Sequence, residues 1–301
     1  MRKMADYLIV LNKDENTVMF IDEKTKEIVK TFEVGQNPHE VSVTPNGEKA
    51  FVSCAGANTV EVFCLNPLSK KKIISHPEFR FPHESAVLPD GSKVILASTY
   101  ANKVFIIDVQ TEEVEKVILA QRMSHMVALN PDGSKAYISN IGSNSISVLE
   151  TKTFEWLTHI PVGRSPEGIA ISPNGKWLYC ANQDDNLVYV IDTTTNALVA
   201  RIGTDKLPIR VSFTKDSKIA FIPNREGNCV SVINVETHRE IKRIPTGIWP
   251  GGTVFNHDDS FCYVANNKTN DLSIIKVSDL KVVATIDVGI HPDGMAFCRV
   301  E

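Results

Sequence analysis

The chain has 301 residues, enough for a large core in one domain or two. Its formal net charge is -4 and neither sign dominates any block, which argues against a nucleic-acid partner. No apolar run reaches the length of a membrane span, and the six cysteines include no CxxC pair, so a reduced compartment without a disulfide framework is expected.

The chain opens on MRKMADYLIVLNKDENT, where Asp6, Lys13, Asp14 and Glu15 crowd the apolar stretch. It reads as a first strand rather than a signal peptide, with the cytosol as the default location. Three β-branched runs follow one another at Tyr7–Leu11, Thr17–Ile21 and Glu27–Phe32. From there a larger unit repeats. The proline of a Gly-x-x-Pro corner, or its counterpart, falls at Pro38, Pro82, Ser124, Pro166, Pro208, Pro250 and Pro292, one step of 44 residues and then five of 42. Such a period marks a repeat architecture. In the unit from Pro166 the predicted strands are Gly168–Ile171 (A), Trp177–Ala181 (B), Leu187–Ile191 (C) and Ala197–Ile202 (D). The first turn of the unit is Pro-Asn-Gly or Pro-Asp-Gly in four copies, where glycine supplies positive φ. Lys215-Asp216-Ser217 and His257-Asp258-Asp259 lack that glycine and are expected to be looser.

The last copy ends in a lone A strand, Met295–Val300, while the first contributes only B, C and D. Three strands and one complete a seventh unit, which closes a ring and leaves no terminal edge. The predicted fold is all-β: one domain over residues 1–301, a seven-bladed β-propeller of four-stranded blades closed three-plus-one.

The pieces Tyr263-Val264-Ala265-Asn266, Tyr137-Ile138-Ser139-Asn140, Tyr179-Cys180-Ala181-Asn182, Asn58-Thr59-Val60 and Val190-Ile191-Asp192 resemble the YVTN-type β-propeller repeat family along the whole chain. That resemblance implies the fold. It does not select a function, because the family includes surface-layer and binding proteins, and related seven-bladed propellers include lactonases and lyases of small cyclic substrates.

Function is sought where the copies differ. After the corner proline stand His39-Glu40, His83-Glu84, His125-Met126, Glu167-Gly168, Ile209-Arg210, Gly251-Gly252 and Asp293-Gly294. Three of the eight histidines fill one repeat-equivalent column. His39, His83 and His125, with Glu167, are therefore candidate ligands for a divalent metal, whose identity the residues leave open. Glu40 and Glu84 are candidates for orienting the ligands or moving a proton. Arg210 and Arg164 are candidates for holding an anionic substrate group, and Tyr100, Trp249 and His291 for walling a pocket.

Two of these units also lack the asparagine that ends strand B as Asn12, Asn140, Asn182, Asn224 and Asn266. They carry Cys54 and Ser98 instead. Cys54 reads either as a soft ligand or nucleophile or, more simply, as a small residue that clears space. The 44-residue step adds two residues, placed in an outer turn or in His76–Phe81, where Arg80 or Phe81 would approach the channel mouth. Asp22, Asp108 and Asp192 are expected to shape C–D turns.

The expected activity is metal-assisted lactone or ester hydrolysis, or a lyase-type elimination, on a small molecule at the channel mouth. A metal-free acid–base enzyme is one alternative. A non-catalytic propeller that binds a ligand, peptide or protein on its rim is the other. No nucleotide loop, CxxCH haem motif, HExxH or nucleophile elbow is present. No nucleic-acid or membrane partner is expected.

Overall fold

The computed structural model describes residues 5–300, with side-chain surroundings for residues 6–299. Its strands form seven separate four-stranded antiparallel sheets. The first blade joins Ala5–Asn12, Thr17–Asp22 and Ile28–Glu33 to the last strand, Pro292–Val300, with Leu8 opposite Phe297 and Ile9 opposite Ala296. The predicted three-plus-one closure is therefore the observed one. Among the described residues, helical structure is confined to two 3-10 turns, Thr99–Ala101 and Ile141–Ser143, so no helix is long and apolar enough to cross a membrane.

The predicted strands sit within a residue or two of the observed ones. The fifth blade runs Pro166–Ile171, Trp177–Asn182, Leu187–Asp192 and Leu198–Gly203. Its A strand begins at the corner proline itself, because Pro166 already faces Asn182. Strands B and C are buried on both faces, which is why they read as near-continuous apolar runs rather than alternating ones. The core lies between neighbouring blades. Tyr137, Ile146 and Val148 of the fourth blade pack with Ile169, Leu178 and Cys180 of the fifth. Full burial of each such side chain contributes roughly 1.5–3 kcal/mol. The D strands are mostly exposed and form the outer wall.

The glycine-poor turns keep their form. Ser217 and Asp259 adopt the left-handed conformation themselves, at φ 59° and 58°, and their amides bond Thr214 and Asn256 as the glycine of the other turns does. The A strand of that sixth blade is nevertheless only Ser212–Phe213. Asp22, Asp108 and Asp192 each accept two backbone N–H bonds in their C–D turns, as expected.

A second asparagine, noted in the sequence only as Asn58 of one repeat piece, joins blade to blade. Asn16, Asn58, Asn102, Asn144, Asn186, Asn228 and Asn270 each sit in the B–C turn with positive φ. Each side-chain oxygen accepts the backbone N–H of the residue before the next corner proline or its counterpart, from Asn37 to His291, at 2.7–3.0 Å. The strand-B asparagines point into the blade instead. Asn140, for example, donates to Ile138 and Ser147.

Candidate functional site

Each A strand presents its first residues to the channel at equivalent heights, so neighbouring blades build rings of side chains. The upper ring holds His39, His83, His125, Glu167, Ile209, Gly251 and Asp293. The ring one residue further along holds Glu40, Glu84, Met126, Gly168, Arg210, Gly252 and Gly294. The column read from the sequence thus becomes a contiguous cluster. The His39 and His83 ring centroids are 4.2 Å apart, and His83 stacks on His125 at 3.6 Å with 27° between planes.

The upper ring is sealed from solvent: His39 is 9 % exposed, His125 7 %, and His83 and Asp293 not at all. Part of the cover comes from the two residues of the long step. They extend the D-to-A link to His76–Phe81, where Phe79 is buried against Phe105. Phe81 lies edge-on to His39 at 5.6 Å and parallel to His83 at 6.1 Å. Arg80 turns back onto the carbonyls of Pro77 and Phe79. Below the rings a channel cavity of about 300 Å³ runs along the A strands to Leu129 and Ile171, and Glu40, Glu84 and Arg210 line it.

Ionic contacts tie the rings together. Arg210 donates to Glu40 Oε1 through Nη2 and to Glu167 Oε1 through Nη1 at 3.4 Å. His125 is held at both ring nitrogens, by Thr99 Oγ1 at 3.0 Å and Glu167 Oε1 at 3.3 Å. Lys13 Nζ lies 3.1 Å from Asp293 Oδ2, which stands 3.5 Å from His39 Nδ1. By contrast, neither nitrogen of His83 has a hydrogen-bond partner among the described residues, nor does His39 Nδ1. Potential ligand atoms of His39, Glu40 and His83 lie within 4.8 Å of one another.

Electrostatics follow from this burial. Burial pushes the His39 and His83 imidazoliums well below their usual range, and the nearby Lys13, Arg210 and His125 act in the same direction. Burial also raises the carboxyl of Glu84 well above the usual range, with Glu40 adding to the effect. Glu40 is raised as well, but the Arg210 guanidinium in contact offsets part of that. For Glu167 and Asp293 burial acts upward and loses. His125 and Arg210 hold Glu167 low, and Lys13, His39 and Arg210 hold Asp293 low.

The remaining sequence candidates have partners outside these rings. Arg164 is exposed and bonded to Asp185 Oδ1 and the Asp184 carbonyl. Tyr100 is exposed, its ring 4.9 Å from Phe81. Trp249 lies under Lys268 Nζ at 3.5 Å, and His291 pairs with Asp14 at 3.1 Å. Cys54 takes the plainer of its two readings: it is packed in the core between the first two blades, and burial pushes its thiol up to about 12. Ser98 replaces the strand-B asparagine by bonding the Arg80 backbone through both its donor and acceptor functions. Sequence reading missed Lys13 and Thr99. Both follow the last residue of a B strand, and comparing that position across units would have shown Lys13 and Arg225 as the charged members among neutral counterparts, Thr99 included.

Known proteins resemble the chain in two ways. A 16 % identical protein of Desulfotomaculum acetoxidans, described as functionally unknown, superposes with TM-score 0.87 over 97 % of this chain and 98 % of that one. Hydrazine synthase of Kuenenia stuttgartiensis gives 0.80 at 20 % identity, covering 88 % and 91 %. A Bacteroides fragilis protein provisionally described as a 6-phosphogluconolactonase gives 0.80 at 17 %, covering 98 % of both. At such identities these likenesses concern the fold. No curated protein matches the chain. The sequence profile of the family described as "Lactonase, 7-bladed beta-propeller" matches residues 10–207, more than half of the chain. The chain therefore belongs to the lactonase family of seven-bladed β-propellers.

Proposed function

We propose that the protein hydrolyses a small-molecule lactone or related ester in the channel, with Glu84 and Arg210 acting on the ester group. The observation that carries this reading is a carboxyl without an ion pair placed beside a paired one on a single cavity. Glu84 and Glu40 both line the space of about 300 Å³ together with Arg210, and only Glu40 is engaged by the guanidinium. Membership of the lactonase family supports the substrate class.

The chemistry divides among these groups. Glu40 and Glu167 hold the Arg210 guanidinium from two sides, so its orientation is set before substrate enters. Arg210 polarises the substrate carbonyl and receives the negative charge that develops on its oxygen. As water adds to the carbonyl carbon, Glu84 accepts a proton from it. On collapse the carbon–oxygen bond of the ring breaks, and Glu84 returns that proton to the departing oxygen. The product is the open hydroxy acid. General acid–base action of this kind contributes roughly 10²–10⁴-fold.

A panel of five- and six-membered lactones and simple aryl esters, followed by acid release, tests the proposal. Turnover that falls by about 10²–10⁴-fold in Glu84→Gln is expected. Tight binding of a lactone without acid release would place the protein among non-catalytic binders. Wild-type rates in Glu84→Gln would remove Glu84 from the chemistry.

A further inference from the structure

His83 presents an unusual energetic problem. Its imidazole is wholly buried, yet neither ring nitrogen has a hydrogen-bond partner among the described residues. A buried polar atom left unmet costs about 1–3 kcal/mol. The other two histidines of the column are better provided for. His125 is bonded at both nitrogens, and His39 has Asp293 beside Nδ1. One nitrogen of His83 has potential donor atoms beside it: one each from His39 and Glu40 lies within 4.8 Å of it and of the other.

We propose that His39, His83 and Glu40 form a binding site for one divalent transition-metal ion of the zinc type. Two imidazoles and a carboxylate favour Zn²⁺, Co²⁺, Ni²⁺ or Cu²⁺ over Mg²⁺ or Ca²⁺, which prefer oxygen donors throughout. Tetrahedral bonds of roughly 2.0–2.2 Å place neighbouring donors about 3.4 Å apart. Small side-chain rotations of Glu40 and His83 close the remaining gap. His39 would coordinate through Nε2, with Asp293 in place to accept from Nδ1. Such a carboxylate partner fixes the tautomer and ring orientation of a metal-bound histidine. Arg210 takes Oε1 of Glu40 and leaves the second oxygen for the ion.

This set differs from the column read in the sequence. It takes Glu40 in place of His125 and Glu167, which are occupied with one another. It stands apart from the hydrolytic reading, because metal binding is measured without turnover and either can fail alone.

The test uses full-length protein without a histidine tag, stripped with a chelator and dialysed. Calorimetric titration with Zn²⁺, absorption spectra with Co²⁺ and melting with and without Zn²⁺ provide three readouts. The expected result is one equivalent bound, visible Co²⁺ bands and a raised Tm. His39→Gln and His83→Gln are expected to lose the equivalent, and His125→Ala to keep it. Neither binding heat nor a Tm shift in the wild type would leave His83 to water and overturn the proposal without any variant having to fold. Undiminished binding in folded His83→Gln would overturn it equally, as would loss confined to His125→Ala.

Discussion

The two halves of the inner ring solve the same geometric problem with opposite means. From the second blade to the fourth, the A strands project His39, Glu40, His83, Glu84, His125 and Met126 toward the axis. In the seventh and first blades, adjacent around the ring, the same positions are Gly251, Gly252, Asp293 and Gly294, and there the backbones themselves close in. A Cβ on Gly252 would fall 2.1 Å from the Asp293 carbonyl oxygen, and one on Gly294 would fall 2.3 Å from that of His39. The glycine half thus acts as a tight backbone hinge-pin against which the charged half is set. A symmetric ring of large side chains would crowd the axis, whereas close backbone approach on one side leaves room for titratable groups on the other.

Breaking each half separately should give different signatures. The largest effect is expected in the charged half. Glu84→Gln should lose about 10²–10⁴-fold in lactone turnover, while Tm stays level or rises because a partly buried carboxyl with no ion pair among the described residues is gone. A matched loss of Tm and activity would make Glu84 structural and erase the contrast. Gly252→Ala should do the reverse. The added Cβ must displace backbone, so stability should fall by about 3 kcal/mol in urea titration. A neutral result would mean that the A strands of the seventh and first blades are free to separate.

A third change reaches the outer part of the molecule, away from both halves. Glu112, buried in the C–D turn of the third blade, takes Lys49 Nζ at 2.6 Å and also Lys71. Burial would raise this carboxyl, but the two lysines outweigh burial and hold it below its usual range. Its folded value lies below its unfolded one, so its contribution is present above the unfolded value, near pH 4.5, and is lost as pH falls through the folded value. Glu112→Gln should therefore cost about 1–2 kcal/mol at pH 7, discounted because Lys71 is partly exposed. Denaturation curves of the two proteins should converge in acid. A gap that stays constant with pH would deny the ion triad its role. The smallest effect is expected from Asn58→Ala. It removes one 2.8 Å bond to the Phe81 amide and should cost about 1 kcal/mol, read as a small drop in Tm.

The sequence revealed the architecture more completely than the site. A 42-residue period and the split of one unit between the two ends sufficed for seven blades and their closure, because both follow from strand pairing, which repeats. The corner column pointed to His39, His83 and His125, whose rings lie against one another in the structure. Which nitrogen meets which partner was not legible, since it depends on lateral distances between blades that a period does not encode. Lys13 and Asp293 come from opposite ends of the chain and meet only because the ring closes. Arg164 and Arg210 looked alike as corner arginines. Arg164 stands two residues before Pro166 and Arg210 two residues after Pro208, and this difference sends the first to Asp185 on the rim and the second into the channel between Glu40 and Glu167.

The seven B–C asparagines carry one more implication. Each grips the amide of the residue before the corner proline or its counterpart, and it reads nothing of that residue's side chain. The gripped position is accordingly Asn37, Phe81, Met123, Ser165, Leu207, Trp249 or His291, in the same left-handed backbone throughout. Fold and face are thereby uncoupled at the rim. A substitution there changes what the rim offers to an approaching molecule without asking the scaffold to readjust, so new recognition can be acquired one blade at a time.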